Sequence, residues 1–311
     1  NENSFTESLE TFNQDITSFD HIDNTYQLFA GYSPGLKQGF SKRYSFGFSR
    51  TEDLFKSADI TSSIPDDRIL AYPWVSYSII EDDFVIYKNL NSLYRTEDVS
   101  TGINFSTAVG FADELFGSEL SQWVFSLSLS DAPITLEKHL LSTRIKTDGF
   151  WDRNINDFVN TVTTIDLSYF WLMMERQRLY AGLSYDHGKN LSQDNLLPLG
   201  GDEGLRGYPS EYLLGERRFL LNFEYRYFFN QHYFNLFRFA SVMFFDMGKT
   251  MAGNNSFLAD SQLLTSAGVG IRINSSKTNI SRIIHIDLAF PLNDNDDLSE
   301  YQFRITADAT F

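Results

Sequence analysis

The sequence contains no cysteine, no excess of positive charge and no long apolar run. Without cysteine the chain has no disulfides, no thiol catalysis and no cysteine-ligated metal. A formal net charge of -16 leaves no basic face for phosphates, so we expect no nucleic acid partner. The apolar stretches, such as residues 169–174, fall far short of the roughly 20 residues that a transmembrane helix requires. Membrane-spanning helices are therefore excluded.

Signatures of catalysis are also missing from the sequence. The five histidines lie far apart, without the spacing of metal ligands; they are His21, His139, His187, His232 and His285. The hydrolase motif Gly-x-Ser-x-Gly does not occur, and no catalytic triad follows from the spacing of the residues. We therefore predict no enzyme activity, no catalytic residue, no metal and no cofactor.

Aromatic residues and a period of two are what the sequence does contain. Aromatics make up 16% of a chain that is only 42% hydrophobic, with a mean hydropathy of -0.26. At the C-terminus, alternate residues are apolar, namely Tyr301, Phe303, Ile305, Ala307, Ala309 and Phe311. A period of two places successive side chains on opposite faces of a β-strand. The pattern therefore predicts strands with one apolar and one polar face.

Alternation alone is compatible with a soluble sandwich or with a membrane barrel. The predicted strands mostly run for about 9 to 13 residues, which suits a tilted membrane crossing and exceeds the usual soluble strand of about 5 or 6. Aromatics also cluster near the strand ends, as interfacial girdles do. The sequence therefore predicts an all-β, transmembrane antiparallel β-barrel in an outer membrane of the Gram-negative type, in contact with its lipids and lipopolysaccharide.

Fourteen strands follow from this pattern. They are residues 301–311, 282–290, 265–274, 236–248, 217–229, 178–187, 157–172, 137–147, 120–130, 98–110, 84–93, 69–79, 41–50 and 25–33. An even number agrees with bacterial barrels, whose termini both face the periplasm. The count leaves residues 51–68 as an unusually long periplasmic connection, so two strands could be hidden in the N-terminal third.

The predicted barrel comprises residues 25–311, and residues 1–24 form a separate N-terminal segment. Apolar residues recur at helical spacing in residues 1–24; they are Phe5, Leu9, Phe12, Ile16 and Phe19. Two alternatives remain open for this segment. It is either an amphipathic helix, in the lumen or at the membrane surface, or a linker from an upstream domain.

Residues 196–215, LLPLGGDEGLRGYPSEYLLG, break the alternating pattern. A glycine-rich loop is by itself weak evidence, because external loops of barrels commonly look like this. The string within it is more informative and consists of Gly200, Gly201, Asp202, Glu203, Gly204, Leu205, Arg206, Gly207 and Tyr208. A strand with Glu224 follows, and the next strand carries Asp246 and Gly248 in the string Phe-Phe-Asp-Met-Gly.

On these motifs the chain resembles the superfamily of BamA and the two-partner secretion transporters, outer-membrane barrels of the bacterial surface antigen family. There an extracellular loop with a (Val or Ile)-Arg-Gly-(Tyr or Phe) motif folds into the lumen, and its arginine meets acidic residues on the next two strands. Leu205, Arg206, Gly207 and Tyr208 match, with Leu in the first place, and five strands follow. The resemblance implies a barrel of 14 to 16 strands, with 16 favoured.

Strand parity leads to the same partners independently. Phe223 and Tyr225 belong to the apolar set, so Glu224 between them faces the lumen, and Asp246 does so by the same argument. Two inward carboxylates on adjacent strands are natural partners for the Arg206 guanidinium. We therefore predict that Arg206 enters the lumen and binds both acids, and that Gly204 and Gly207 let the loop turn tightly. The alternative is that the acids simply line a wet pore.

The resemblance implies that the protein inserts or translocates polypeptides at the outer membrane without nucleotide or cofactor. The seam between residues 26–32 and residues 301–311 would open to template a substrate strand. Tyr301, Phe303 and Phe311 would form the C-terminal assembly signal. Relatives usually carry periplasmic polypeptide-transport-associated domains, and none fits within residues 1–24, so periplasmic domains or accessory subunits stay open. The alternatives are a secretion pore for a partner or passenger polypeptide, and a passive structural barrel.

Overall fold

The structure, a computed structural model, describes residues 2–11, 14–57, 66–253, 260–277, 283–295 and 298–308. Within these residues the chain is all-β, with two single-turn 3-10 helices at Glu114–Phe116 and Gln193–Asn195. No helix of the described part is long and apolar enough to cross a membrane.

Nineteen strands follow one another along the described chain. They are β1 (Glu2–Thr11), β2 (Gln14–Tyr32), β3 (Leu36–Lys37), β4 (Phe40–Ser57), β5 (Arg68–Glu81), β6 (Phe84–Lys88), β7 (Thr96–Ser100), β8 (Asn104–Ala112), β9 (Gln122–Leu136), β10 (His139–Asp152), β11 (Asp157–Met174), β12 (Gln177–Lys189), β13 (Leu197–Leu199), β14 (Leu213–Gly215), β15 (Arg217–Phe228), β16 (Phe237–Met251), β17 (Leu264–Ser275), β18 (Ile283–Pro291) and β19 (Gln302–Asp308).

One antiparallel sheet forms the wall of the molecule. Its fourteen main strands run in the order β1-β2-β4-β5-β8-β9-β10-β11-β12-β15-β16-β17-β18-β19, with β3 paired on β4. Each wall strand thus pairs with the next one along the chain, so the connections alternate between the two ends of the wall. We call the end that carries residues 190–216 the loop side. The other end, where β1 begins and β19 ends, is the terminal side.

Contacts between distant strands show that the wall is curved into a barrel. The Arg68 Nη2 at the start of β5 lies 2.6 Å from Asp194 Oδ2, in the connection after β12. In a flat sheet with about 4.8 Å between strands, β5 and β12 would be roughly 24 Å apart. The predicted all-β antiparallel barrel is confirmed, and the described residues contribute fourteen main strands to its wall. Within the described residues no ladder joins the two edges, β1 and β19.

The two faces of the strands follow the predicted parity. Phe223 is 41% exposed, whereas Glu224 next to it is 8% exposed. On β19, Phe303 and Ile305 are 60% and 61% exposed, and Tyr301 immediately before the strand is 58% exposed. Large apolar side chains therefore cover the outer face of the wall, which is the face that lipid requires. Phe311 lies outside the described residues.

The prediction that residues 84–93 form a strand of the wall is wrong. β6 and β7 pair only with each other, in a separate two-stranded sheet, and the wall ladder runs directly from β5 to β8. The reason is local: Asn89 and Tyr94 take positive φ values of 58°, which end β6 and turn the chain back toward β7. The strand predicted at residues 98–110 consequently begins only at Asn104, as β8.

Residues 1–24 differ from both alternatives considered for them. Apart from residues 1, 12 and 13, the backbone of this segment forms β1 and the first part of β2, paired antiparallel with each other. Apolar residues four apart, as in Phe5 and Leu9, lie on one face of a helix but also on one face of a strand, so their spacing does not distinguish the two. The extra strand β1 offsets the lost strand at 84–93, and the count of fourteen is unchanged.

The same correction removes the problem of the long connection at residues 51–68. β4 extends to Ser57 and β5 begins at Arg68, so only residues 58–67 connect them. With residues 84–93 out of the wall, the end of β4 and the start of β5 lie on the loop side and not on the terminal side. Longer connections are usual at the loop end of such barrels. Of the two extra strands considered for the N-terminal third, the described residues contain one, β1.

We expect Leu129→Arg and Ser128→Arg to differ strongly in stability, because these neighbours in mid-β9 face opposite ways. Leu129 is 37% exposed on the outer face, whereas Ser128 faces the lumen beside Ser126 and Ser130. An arginine facing lipid near the bilayer centre costs about 2–4 kcal/mol, and one in a polar lumen much less. Equilibrium unfolding in lipid vesicles measures both values. Equal losses would mean that the two faces are assigned incorrectly.

Candidate functional site

Residues 190–216 connect β12 to β15 and fold into the lumen from the loop side. The short hairpin of β13 and β14 stands at the base of this inward loop, and Leu205 and Tyr208 at its tip are fully buried. Their apolar cluster joins the loop to inward residues of the wall and consists of Leu199, Leu205, Tyr208, Tyr212, Leu220 and Leu264. Burial of these side chains holds the loop inside the barrel.

Arg206 contacts both predicted acids. Its Nε and Nη2 donate to Asp246 Oδ2 and Oδ1, each at 2.7 Å, which is a bidentate pair. Its Nη1 donates to Glu224 Oε1 at 2.6 Å. The side chain of Asp246 is fully buried and that of Glu224 is 9% exposed, so little water competes for these bonds. Charge-assisted and bidentate hydrogen bonds of this kind are the strongest that a protein makes.

Two further wall residues complete the surroundings of the Arg206 side chain. The Asn222 amide nitrogen donates to Asp246 Oδ1 at 2.7 Å and to the Gly204 carbonyl at 2.8 Å, so it joins the wall to the loop backbone. The guanidinium carbon of Arg206 lies 3.7 Å from the centre of the Phe244 ring, which gives a cation–π contact. Sequence analysis missed both residues. Each lies two positions from a predicted acid, on the same inward face.

The glycines of the motif allow backbone conformations and close contacts that other residues would prevent. Gly204 and Gly207 have φ values of +105° and +94°, where side chains are strained. At Gly200 a Cβ atom would lie 2.1 Å from the Pro209 carbonyl oxygen, so only glycine fits. Gly201 donates its N–H to that same oxygen at 2.9 Å. Gly248 of β16 packs against the Leu199 side chain, which fills the space that a larger residue would occupy.

Tyr208 anchors the loop to the strands that follow it. Its hydroxyl donates to the Thr265 carbonyl of β17 at 2.8 Å and lies 3.0 Å from Asn293 Oδ1. Burial raises the pKa of the Tyr208 phenol to about 12.

The inward loop is also attached to the edge strand β19, a link that sequence analysis missed. The Gly207 N–H donates to Gln302 Oε1 at 3.1 Å, and Arg304 forms an ion pair with Asp202. Both β19 side chains belong to the polar set that alternates with Phe303 and Ile305. The loop therefore holds the last strand of the barrel directly.

We expect Gln302→Ala to loosen this attachment more than Arg304→Ala. The Gln302 bond to the buried Gly207 N–H is partly buried and contributes about 0.5–1.5 kcal/mol. The Arg304 pair contributes less than about 1 kcal/mol, because Asp202 is 65% exposed. Proteinase K digestion of the loop in vesicles measures the effect, with the outward Ile305→Ala as control. Faster digestion in Arg304→Ala than in Gln302→Ala would contradict this order.

A comparison with protein families agrees with the geometry. The model of the Omp85 superfamily domain matches residues 138–311, more than half of the chain. The chain belongs to the Omp85 superfamily. Omp85 proteins are outer-membrane barrels that insert or translocate polypeptides and are not enzymes. The match includes the inward loop, both acids and the five strands β15 to β19 that follow the loop. No curated protein matches the chain.

The charged residues of this Omp85 site hold the inward loop. Within the described ranges, no group of three or more acidic or histidine side chains could hold a metal ion. Glu224 instead lies between two guanidiniums, because Arg226 Nε donates to its other oxygen at 2.8 Å. Arg206, Arg226, Glu224 and Asp246 thus form a neutral network of two cations and two anions. Such a network is stable as a unit and costly to break at any single member.

Proposed function

We propose that this protein inserts polypeptides into, or translocates them across, the outer membrane without nucleotide or cofactor. The single observation that carries the proposal is the attachment of the Arg206 loop to β19, an edge strand of the barrel. An edge strand presents unpaired N–H and C=O groups, to which an incoming strand can add by β-augmentation. A loop fixed to that edge is well placed to control its position.

The opposite edge offers a matching surface. Among the described residues, β1 pairs with residues 14–24 of β2, and the ladder of residues 26–32 of β2 is the one with β4. These residues were predicted to be the first strand, and they form the second part of β2. Leu28 and Phe29, which point in opposite directions, are 80% and 62% exposed. Residues 26–32 and β19 thus lie at the two edges of the described sheet, and large apolar side chains flank both.

A reconstitution experiment distinguishes the functions that this site could serve. The protein in lipid vesicles is mixed with a urea-unfolded outer-membrane barrel, and membrane insertion is followed by protease protection. We expect insertion to be faster than in vesicles that hold a passive barrel of similar size. Passage of a soluble polypeptide into the vesicles would instead favour secretion. If neither process exceeds the passive control, the proposal is wrong and the protein is a structural barrel.

A further inference from the structure

Residues 82–103 form a second inward segment, on the terminal side of the barrel. They connect β5 to β8, and the hairpin of β6 and β7 is part of them. This connection lies at the opposite end of the wall from the Arg206 loop, because successive connections alternate between the two ends. We call residues 82–103 the inner plug and residues 89–95 its tip.

Hydrogen bonds within the inner plug fix the conformation of its tip. Glu97 accepts hydrogen bonds from the N–H groups of Leu90, Asn91 and Ser92 at 2.9–3.0 Å. Asn89 Oδ1 accepts from the Tyr94 N–H at 2.6 Å, which closes the turn. Three N–H groups bound to one carboxylate fix the shape of a turn without help from the wall. The tip therefore meets the wall as a preformed surface.

Leucines of this tip pack against inward side chains of six wall strands. Leu90 and Leu93 are each 1% exposed. Leu90 belongs to a cluster with inward residues of β9, β10 and β11, which are Ala132, Leu140 and Phe170. Leu93 belongs to a second cluster, with inward residues of β15, β16 and β18, which are Phe228, Ala240 and Ile283. A segment in contact with strands from β9 to β18 lies across the lumen and not beside its rim.

Hydrogen bonds from lumenal side chains hold the backbone of the plug. Arg178 Nη2 of β12 donates to the Lys88 carbonyl at 3.1 Å, and Arg226 Nη1 of β15 donates to the Leu90 carbonyl at 3.1 Å. Arg226 is 2% exposed and also binds Glu224, the partner of Arg206. The Leu90 carbonyl, Arg226, Glu224 and Arg206 thus form a continuous chain of contacts from the inner plug to the inward loop. Asn91 and Arg206 both line the cavity of about 510 Å³ between them.

We propose that the inner plug closes the lumen on the terminal side, and that a continuous pore exists only when residues 82–103 leave their seat. The Arg206 loop lies on the opposite side of the cavity of about 510 Å³, within the same lumen. The chain of contacts through Glu224 couples the two segments, and release of one loosens the other. The closure holds whichever polypeptide the seam acts on, so it does not rest on the proposed function.

Conductance of the purified protein in planar lipid bilayers tests the closure. We expect the wild type to show no sustained open-pore current. A variant with residues 84–100 replaced by a short Gly-Ser linker should show a sustained current of an open barrel. The matched control shortens residues 229–236, another connection on the terminal side, and should stay closed. A heat-dependent shift in gel mobility verifies that each barrel is folded.

A second variant keeps the full chain and decides the question if the shortened one does not fold. The double variant Leu90→Asp, Leu93→Asp places one carboxylate in each of the two apolar clusters. We expect this variant to show repeated pore openings. Ile86→Asp is the control within the plug, because Ile86 is 69% exposed and occupies no seat. Wild-type closure in the folded linker variant would overturn the proposal. So would an open pore in the wild type, or equal currents in the two aspartate variants.

Discussion

Arg206→Ala is expected to lower the free energy of unfolding by about 3–5 kcal/mol, the usual cost of removing one partner from a buried hydrogen-bonded charge pair. The loss is large because Asp246 is fully buried and receives two bonds from this guanidinium. After the substitution, the two carboxylates on adjacent strands lose the guanidinium between them and keep weaker support, from Arg226 at Glu224 and from Asn222 and the backbone N–H of residue 206 at Asp246. The inward loop should then leave the lumen, and proteinase K should digest residues 196–215 from the loop side.

The matched control for this substitution is Arg153→Ala, at the exposed turn between β10 and β11, which should change stability little. Asp246→Ala acts through the same contacts, so the double variant should be less than additive with Arg206→Ala. Unfolding titrations of the four proteins in vesicles give the coupling. Strict additivity would show that the two residues do not act as one unit.

Glu224→Ala should produce a loss of similar size, about 3–5 kcal/mol, but a broader structural effect. Glu224 accepts from Arg206 at 2.6 Å and from Arg226 at 2.8 Å, and its removal leaves two buried guanidiniums side by side. The first guanidinium holds the inward loop and the second holds the Leu90 carbonyl of the inner plug. We therefore expect increased protease access to both segments, from opposite sides of the membrane.

Asp246→Ala is the discriminating control for Glu224→Ala. Asp246 binds Arg206 and Asn222, whereas Arg226 binds Glu224 and the Leu90 carbonyl, so loss of Asp246 should expose residues 196–215 and leave residues 82–103 protected. Glu224→Gln retains one acceptor and should fall between Glu224→Ala and wild type. Equal protection of the inner plug in Glu224→Ala and Asp246→Ala would contradict the coupling through Glu224.

Strand parity predicted most of the wall strands and the two acids that Arg206 contacts. In a barrel, each residue faces either lipid or lumen, so apolar Phe223 and Tyr225 fix the direction of Glu224. The rule fails where a strand leaves the wall. Phe84 and Ile86 alternate with Val85 and Tyr87 in a wholly apolar run, and nothing in that run shows whether its backbone pairs with β5 or with β7.

Apolar residues on lumenal strand faces are a sequence signal for the inner plug, but they can be recognised only once the strand register is known. Phe228 of β15 lies on the inward face with Glu224 and Arg226, yet it is apolar and fully buried. Leu140 of β10 and Ile283 of β18 are similar exceptions on lumenal faces. Apolar residues on a wet face have no reason to be there unless a segment packs on them. The sequence does not say which segment, because that contact joins residues far apart in the chain.

Site-specific photo-cross-linking tests most directly the central claim that polypeptides engage the barrel at the edge formed by β19. Ile305, Ile286 and Ile271 lie in one register row across β19, β18 and β17, with their side chains on the outer face. A photoreactive residue replaces Ile305 or, as the matched control two strands away from the edge, Ile271. The vesicles are then exposed to an unfolded outer-membrane barrel. We predict cross-links to that polypeptide from position 305 and none from position 271. Equal cross-linking at the two positions, or cross-linking at position 271 alone, would contradict the claim.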